Sequence, residues 1–183
     1  MRILFALLQG LRHRHALRAL HCHGIERPDQ LSLETLYQHG VRVLIWDFDG
    51  ILAHHGASTP IDRMQPLLAA SEKLFGANRV FVLSNKPLAV RDAYFKTHYP
   101  DIHFSYAPRK KPYPDGILHI IAQTQLPANV HCLIDDRLLT GGLASVLAGI
   151  QCVYCKKPFQ CFRARFVAEC FFALLRRLEK CFF

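Results

Sequence analysis

The sequence predicts an α/β protein, a three-layer Rossmann-like parallel sheet with helices on both faces and no cap domain. Three observations carry that prediction. Five short apolar runs alternate with segments of helical periodicity, the pattern of parallel strands joined by crossover helices. Polar clusters follow four of the runs, at the edge where open α/β sheets bind ligands. The chain of 183 residues is 51% apolar and 20% charged, so it has apolar material for one core and too little charge for disorder.

Residues 1–27 read as a basic helical segment. Leu4, Leu7, Leu8 and Leu11 share a stripe that Leu17 and Leu20 extend, and Pro28 breaks it. Leu33, Leu36 and Tyr37 suggest a short helix ending at Gly40. Val41–Trp46 is the first strand, Asp62–Phe75 a helix closed by Gly76, and Val80–Leu83 the second strand. Pro87–Thr97 reads as helical, with proline at the helix start where its missing N–H costs little. Ile102–Ser105 is a strand, Tyr113–Gln123 a helix and Val130–Ile134 a strand. Leu138–Leu147 is a helix stopped by Gly149, Gln151–Tyr154 the last strand, and Phe162–Cys181 a final helix. The expected organisation is one domain over 1–183, with a catalytic core at 28–158 and a C-terminal amphipathic helix at 159–183.

A net charge of +9 favours anionic partners: phosphate esters, nucleic acid or an acidic membrane surface. Seven cysteines are scattered without a disulfide framework, as in a cytoplasmic protein with reduced thiols. Cys152 and Cys155 lie three apart on a strand, hence on opposite faces, and read as core rather than as zinc ligands. His21-Cys22-His23 has no second ligand pair and reads as a solvated helix end. The apolar run Ile3–Leu8 is short for a secretion signal and no small-residue cleavage site follows. No run approaches the about 18 apolar residues of a membrane span.

The chemistry is concentrated at strand ends. Asp47-Phe48-Asp49-Gly50 follows the first strand, and two carboxylates this close repel unless a cation such as Mg2+ lies between them. A carboxylate held beside a phosphate can also attack it. Ser84-Asn85 ends the second strand, where a hydroxyl and helix-start N–H groups can hold phosphate oxygens. Arg109-Lys110-Lys111-Pro112 precedes a helix and offers a lysine to neutralise developing charge. Asp135-Asp136 ends the fourth strand, and adjacent acids there point to a cation.

Acid-x-acid, serine, lysine and acid pair, in that order, resemble the haloacid dehalogenase (HAD) phosphatase superfamily over residues 28–158. Gly40 to Asp49, Ser84-Asn85, Lys111-Pro112 and Asp136-Arg137-Leu138-Leu139-Thr140 resemble its subfamily IIIA, the YqeG-type branch that includes phosphatidylglycerophosphatases. The resemblance implies Asp47 as nucleophile, forming an aspartyl-phosphate. It implies Asp49 as the acid for the leaving group and then the base for water, with its backbone carbonyl on the metal. Ser84 would bind the phosphoryl group and Lys111 would stabilise the charged intermediate. Gly50, Asn85 and Arg137 would contact substrate, and Asp136 would bind Mg2+ with Asp47. Two positions depart from the family. Ile51 stands where the family usually has threonine, and Gly141 stands where the branch has a further acid, leaving Asp135 to supply the second acidic group.

Other residues stay open between two readings. His54 and His55, on a flap over residues 51–60, either touch substrate or are solvated. Arg109, Lys110 and Arg137 either attract an anionic substrate or solvate the surface. The spacings leave no room for an inserted cap, and an open site suits a bulky or surface-embedded substrate. In the C-terminal helix, Phe166, Val167, Cys170, Phe171, Leu174, Leu175, Leu178 and Phe182 form an apolar face, with Arg163, Arg165, Arg176, Arg177 and Lys180 on the rest. That face either packs on the sheet or meets an anionic membrane. The expected function is therefore a Mg2+-dependent phosphatase for a phospholipid head group, phosphatidylglycerophosphate, cytoplasmic and peripheral at the inner face of the membrane. A soluble sugar phosphate or nucleotide is the alternative substrate, and a catalytically weak binding module the alternative class. No nucleic-acid partner is expected.

Overall fold

Alternating apolar side chains build the central layer. In β1 (Val43–Trp46), Val43 and Ile45 point to one side of the sheet, Leu44 and Trp46 to the other, and all four are buried. β2 (Val80–Leu83) divides likewise, with Phe81 and Leu83 beside Ile45 and with Val80 and Val82 beside Trp46. With β3 (Ile102–Ser105), β4 (His131–Asp135) and β5 (Gln151–Tyr154), these strands form a five-stranded parallel sheet in the order β3–β2–β1–β4–β5. The computed structural model describes residues 1–86 and 88–182, with side chains throughout except at residues 164 and 165. The expected helix start at Pro87 and the basic side chain of Arg165 lie outside the described residues.

Helices cover both faces. α3 (Leu33–Gln38), α4 (Gln65–Phe75) and α5 (Ala89–His98) contribute Leu33, Leu68 and Phe95 to the core on the Trp46 side. α6 (Asp115–Thr124) and α7 (Leu143–Ala148) supply Ile117, Ile120, Ala144 and Ala148 on the other. The fold class expected from the sequence is the one observed. Positive φ at Gly76 and Gly149 ends α4 and α7 where the sequence placed the stops.

Three segments differ from expectation. The N-terminal segment is two helices, α1 (Arg2–Arg12) and α2 (Arg14–His23), broken at His13. Ala6 and Leu17 pack with Leu138, Leu143 and Tyr154, while Ile3, Leu4, Leu7, Leu8 and Leu11 face outward. The expected helix at 138–147 begins as a π turn over Leu138–Gly142, closed by the Leu143 N–H on the Leu138 carbonyl, and turns α-helical only from Leu143. π turns are frequent at functional sites, and this one follows the acid pair.

The third difference concerns α8 (Phe162–Phe182). The reading that its apolar face packs on the sheet is overturned: Phe166, Val167, Phe171, Leu174, Leu178 and Phe182 are all exposed. The buried stripe is Glu169, Arg176 and Glu179, with Phe172 stacked on His55 at 4.0 Å between ring centroids. Arg176 was expected among the solvated positions and is buried instead. Among the described residues no helix is long and apolar enough to cross a membrane.

Candidate active site

The C-terminal edge of the sheet collects the polar clusters because parallel strands end together. Asp47 leaves β1, Ser84 leaves β2, and Asp135 closes β4 with Asp136 next to it. Asp47, Asp135 and Asp136 are buried and each offers a carboxylate oxygen within 4.8 Å of the other two. Lys111 reaches into the group, donating to Asp47 Oδ1 at 2.7 Å and to Asp135 Oδ2 at 2.6 Å. Burial works against the lysine charge, but the two carboxylates outweigh it and hold the Lys111 pKa above its ordinary value. Burial pushes the Asp47 carboxyl up, with the charges of Asp135 and Asp136 adding to the rise and Lys111 opposing it. Asp136 is raised to about 7, first by burial and then by Asp135, against Arg176 and Arg137.

Asn85 has a part beyond the one expected of it. Its Oδ1 accepts from the Lys111 N–H at 2.8 Å, and its amide nitrogen donates to the Lys111 carbonyl at 3.4 Å. Asn85 thus positions Lys111, and with Ser84 and Lys111 it lines a pocket at this edge of the sheet. Arg137 is redirected. Its guanidinium pairs with Glu179 of α8, whose other oxygen accepts from the Leu138 N–H at 2.9 Å. Arg109 is engaged with Asp115 at 2.8 Å on the surface.

Gly50 is required for two reasons. Its φ is +98°, and a Cβ there would lie 3.0 Å from the Asp136 carboxyl. Gly141 explains the acid that the family resemblance misses. A Cβ at 141 would sit 1.9 Å from Asp135 Oδ2. The Asp135 carboxylate thus fills the space a side chain at 141 would take, and the missing side chain at 141 is what admits it. Asp135 Oδ1 meanwhile accepts from the Arg137 N–H at 2.9 Å. Ile51 is fully buried in the core, so apolar packing supports the loop where the family uses a hydroxyl.

Asp49 is held by a residue the sequence reading missed. Arg91 of α5, 0% exposed, donates to Asp49 Oδ1 at 2.8 Å and to Asp49 Oδ2 at 3.0 Å. The same guanidinium reaches Ser84 Oγ at 3.2 Å and the Ala57 carbonyl at 3.0 Å, and lies 3.8 Å from the Phe48 ring centroid. Burial opposes the Asp49 charge, yet the Arg91 pair and the Gly56 N–H lower its pKa below the ordinary value. Asp49 is therefore ionised, the form that takes a proton from water; donating one to a leaving group requires the Arg91 pair to loosen. The signal available was spacing: Arg91 and Phe95 are i, i+4, which puts the arginine on the core face of α5. Ser84 Oγ also accepts from the Lys86 N–H at 3.0 Å.

His55 is buried, contrary to a solvated flap, and Glu169 Oε2 lies 3.7 Å from its Nδ1. Burial, with the cations Arg176, Lys86 and Arg137, lowers its pKa to about 4 against the pull of Asp49, so it stands neutral beside Glu169. Arg176 donates to Asp136 Oδ2 at 2.8 Å. Lys111 and Arg176 set two positive charges against three carboxylates. That excess of negative charge attracts a divalent cation. The donor set is all oxygen, buried and mutually repelling, which fits Mg2+.

No protein-family model and no curated protein matches the chain. Among solved structures it is similar to an uncharacterized protein from Corynebacterium glutamicum ATCC 13032 Kitasato, with 26% identity and a TM-score of 0.50, over 75% of this chain and 96% of that one. A second structure is 11% identical with a TM-score of 0.55, over 77% of this chain and 82% of its own, and it supports the fold alone.

Proposed function

We propose that this chain is a Mg2+-dependent phosphomonoester hydrolase of the HAD type, working through an aspartyl-phosphate on Asp47. The observation that carries the reading is the buried trio Asp47, Asp135 and Asp136 with Lys111 bridging two of its members. An Asp47 oxygen attacks phosphorus and the bond to the leaving oxygen breaks, that oxygen taking up the proton that Asp49 carries once its pair with Arg91 loosens. Water then attacks the phosphorus, gives a proton to Asp49, and the bond to Asp47 breaks to free inorganic phosphate. Lys111 offsets charge on Asp47 and the phosphoryl oxygens. Asp47, Asp136 and Asp135 would hold Mg2+, which when bound neutralises phosphate charge and orients the group. Ser84 holds a phosphoryl oxygen.

The substrate we propose is a phospholipid head group, phosphatidylglycerophosphate, presented by an anionic membrane surface. The outward apolar and basic faces of α1 and α8 support it. Turnover of an aryl phosphate with Mg2+, its loss with a chelator, and its loss in Asp47→Asn with the fold intact test the chemistry. Activity persisting in Asp47→Asn removes the nucleophile assignment, and no turnover by the wild type favours a binding module. Assaying the lipid phosphate in vesicles against a sugar phosphate and a nucleotide tests the substrate, and preference for a soluble ester overturns the lipid.

A further inference from the structure

We propose that α8 is a charged latch on the cation site: Arg176 occupies Asp136 in place of a divalent cation, and the helix is released when its outward apolar face settles on an anionic lipid bilayer. The proposal rests on the metal-dependent reading above and adds the control of that site.

The polarity of α8 is reversed. A surface helix ordinarily buries its apolar stripe and solvates its charges. Here Glu169, Arg176 and Glu179 are 0%, 5% and 3% exposed, while Phe166 and Val167 on the outside are 65% and 80% exposed. The hydrophobic effect therefore does little to hold the helix down. Buried ion pairs hold it, and desolvation offsets much of their attraction. Such an element is stable enough to be seen closed and cheap enough to open.

The pairs are made with the site itself. Arg176 Nη1 lies 2.8 Å from Asp136 Oδ2, and Glu179 fixes Arg137 and the Leu138 N–H directly after the acid pair. A divalent cation on Asp136 would bring two like charges together and remove the reason for Arg176 to stay. Among the described residues, closure also leaves Arg176 Nη2, Glu169 Oε2 and His55 Nδ1 buried without a hydrogen-bond partner, so the closed arrangement is incompletely satisfied, as befits an element with a second position.

The outward face identifies the occupant. Both acids of α8 are buried, so among the described residues its outer surface carries large apolar side chains with the exposed Arg163 and Arg177 and no acid. An apolar face edged only by cations matches an anionic bilayer. A released helix can sink that whole face below the head groups, so cation and bilayer both favour release and each strengthens the binding of the other.

Calorimetric titration of Mg2+ into the full chain tests this, for wild type, Arg176→Ala and Glu179→Gln. Each is titrated alone, with phosphatidylcholine vesicles, and with vesicles that also contain phosphatidylglycerol. Arg176→Ala should bind Mg2+ roughly tenfold or more tightly than wild type, within the usual range of site-to-site coupling. Glu179→Gln, which loosens the helix without touching Asp136, should move the same way and guards against a misfolded first variant. Phosphatidylglycerol vesicles should tighten Mg2+ binding by wild type and leave Arg176→Ala unchanged. Hydrogen exchange over residues 162–182 should accelerate when Mg2+ is added in the absence of vesicles. Equal or weaker Mg2+ binding by both variants overturns the latch and makes Arg176 a supporting partner of Asp136. Self-association of the chain, or vesicle binding that leaves Mg2+ affinity unmoved, overturns the bilayer as the releasing partner. Absence of Mg2+ binding in every variant defeats the metal-dependent reading itself, an outcome distinct from Mg2+ that binds without regard to Arg176.

Discussion

Gly141 and Asp135 exchange roles within one small volume. Because a Cβ at 141 would collide with Asp135 Oδ2 at 1.9 Å, Gly141→Ala must displace the carboxylate that Lys111 bridges. Overpacking of this kind costs about 1–3 kcal/mol. Thermal melts should show that loss, and calorimetry should show weakened Mg2+ binding. Gly141→Asp alone should be worse, since it adds a fourth buried acid to the same space. The double change Asp135→Gly with Gly141→Asp returns the acid to the place the family resemblance expects and should recover much of the Mg2+ affinity. If the double variant binds no better than Gly141→Asp alone, the two positions do not substitute for each other. Lys111→Ala should be the most damaging single change to stability, by about 3–5 kcal/mol, because it strips the partner from two buried carboxylates. The order of the clusters made Asp47, Ser84, Lys111 and Asp136 legible in the sequence. Their neighbours were not legible, because what Asn85 and Arg137 touch depends on backbone and helix positions that no short motif encodes.

At the scale of elements, the strands were legible as short apolar runs. β2, β3 and β5 match the expected residues, while β1 begins two residues later and β4 one residue later than expected, because an apolar run marks a strand's presence better than its ends. α8 was misjudged because the rule that apolar faces turn inward fails when the inward side is a cluster of carboxylates. Glu169, Phe172, Arg176 and Glu179 form their own stripe at three- and four-residue spacing, visible in the sequence once a charged inner face is entertained. The contact of α8 with the flap yields a pH prediction. His55 has a folded pKa of about 4 against 6.5 for the free group, with Glu169, Asp49, Arg176, Lys86 and Arg137 around it. Between those values the unfolded chain binds a proton that the folded one refuses, so stability falls as pH falls through that window and is unaffected above it. At pH about 5 the loss is up to about 2 kcal/mol. Urea melts should show a shallower decline in His55→Phe, which keeps the stacking on Phe172. An unchanged slope would mean that His55 already titrates normally in the folded protein.

For the whole molecule, the question is why so much apolar surface stays outside a chain with a complete core. Both faces of the sheet are filled, yet Ile3, Leu4, Leu7, Leu8 and Leu11 of α1 and the outer stripe of α8 are exposed. Exposed apolar patches of this kind mark interaction surfaces. α1 and α2 contain no acid, and Arg2, Arg12, Arg14 and Arg18 accompany the leucines. Each apolar side chain inserted into a bilayer contributes about 1.5–3 kcal/mol, and each basic residue near an anionic surface about 1 kcal/mol. On the proposed reading, a few of each would give reversible attachment to a membrane that holds the lipid phosphate. Co-sedimentation with phosphatidylglycerol vesicles should therefore be strong and should weaken with salt. Leu4→Asp with Leu8→Asp should reduce it at least tenfold, and Arg177→Glu by a smaller factor. Arg176 is unsuited to this purpose because it is buried against Asp136. Neither surface change touches the site, so aryl phosphate turnover should be unaltered while turnover of the lipid phosphate falls with vesicle binding. Lipid turnover that survives the loss of vesicle binding would separate these faces from catalysis and assign them to another partner.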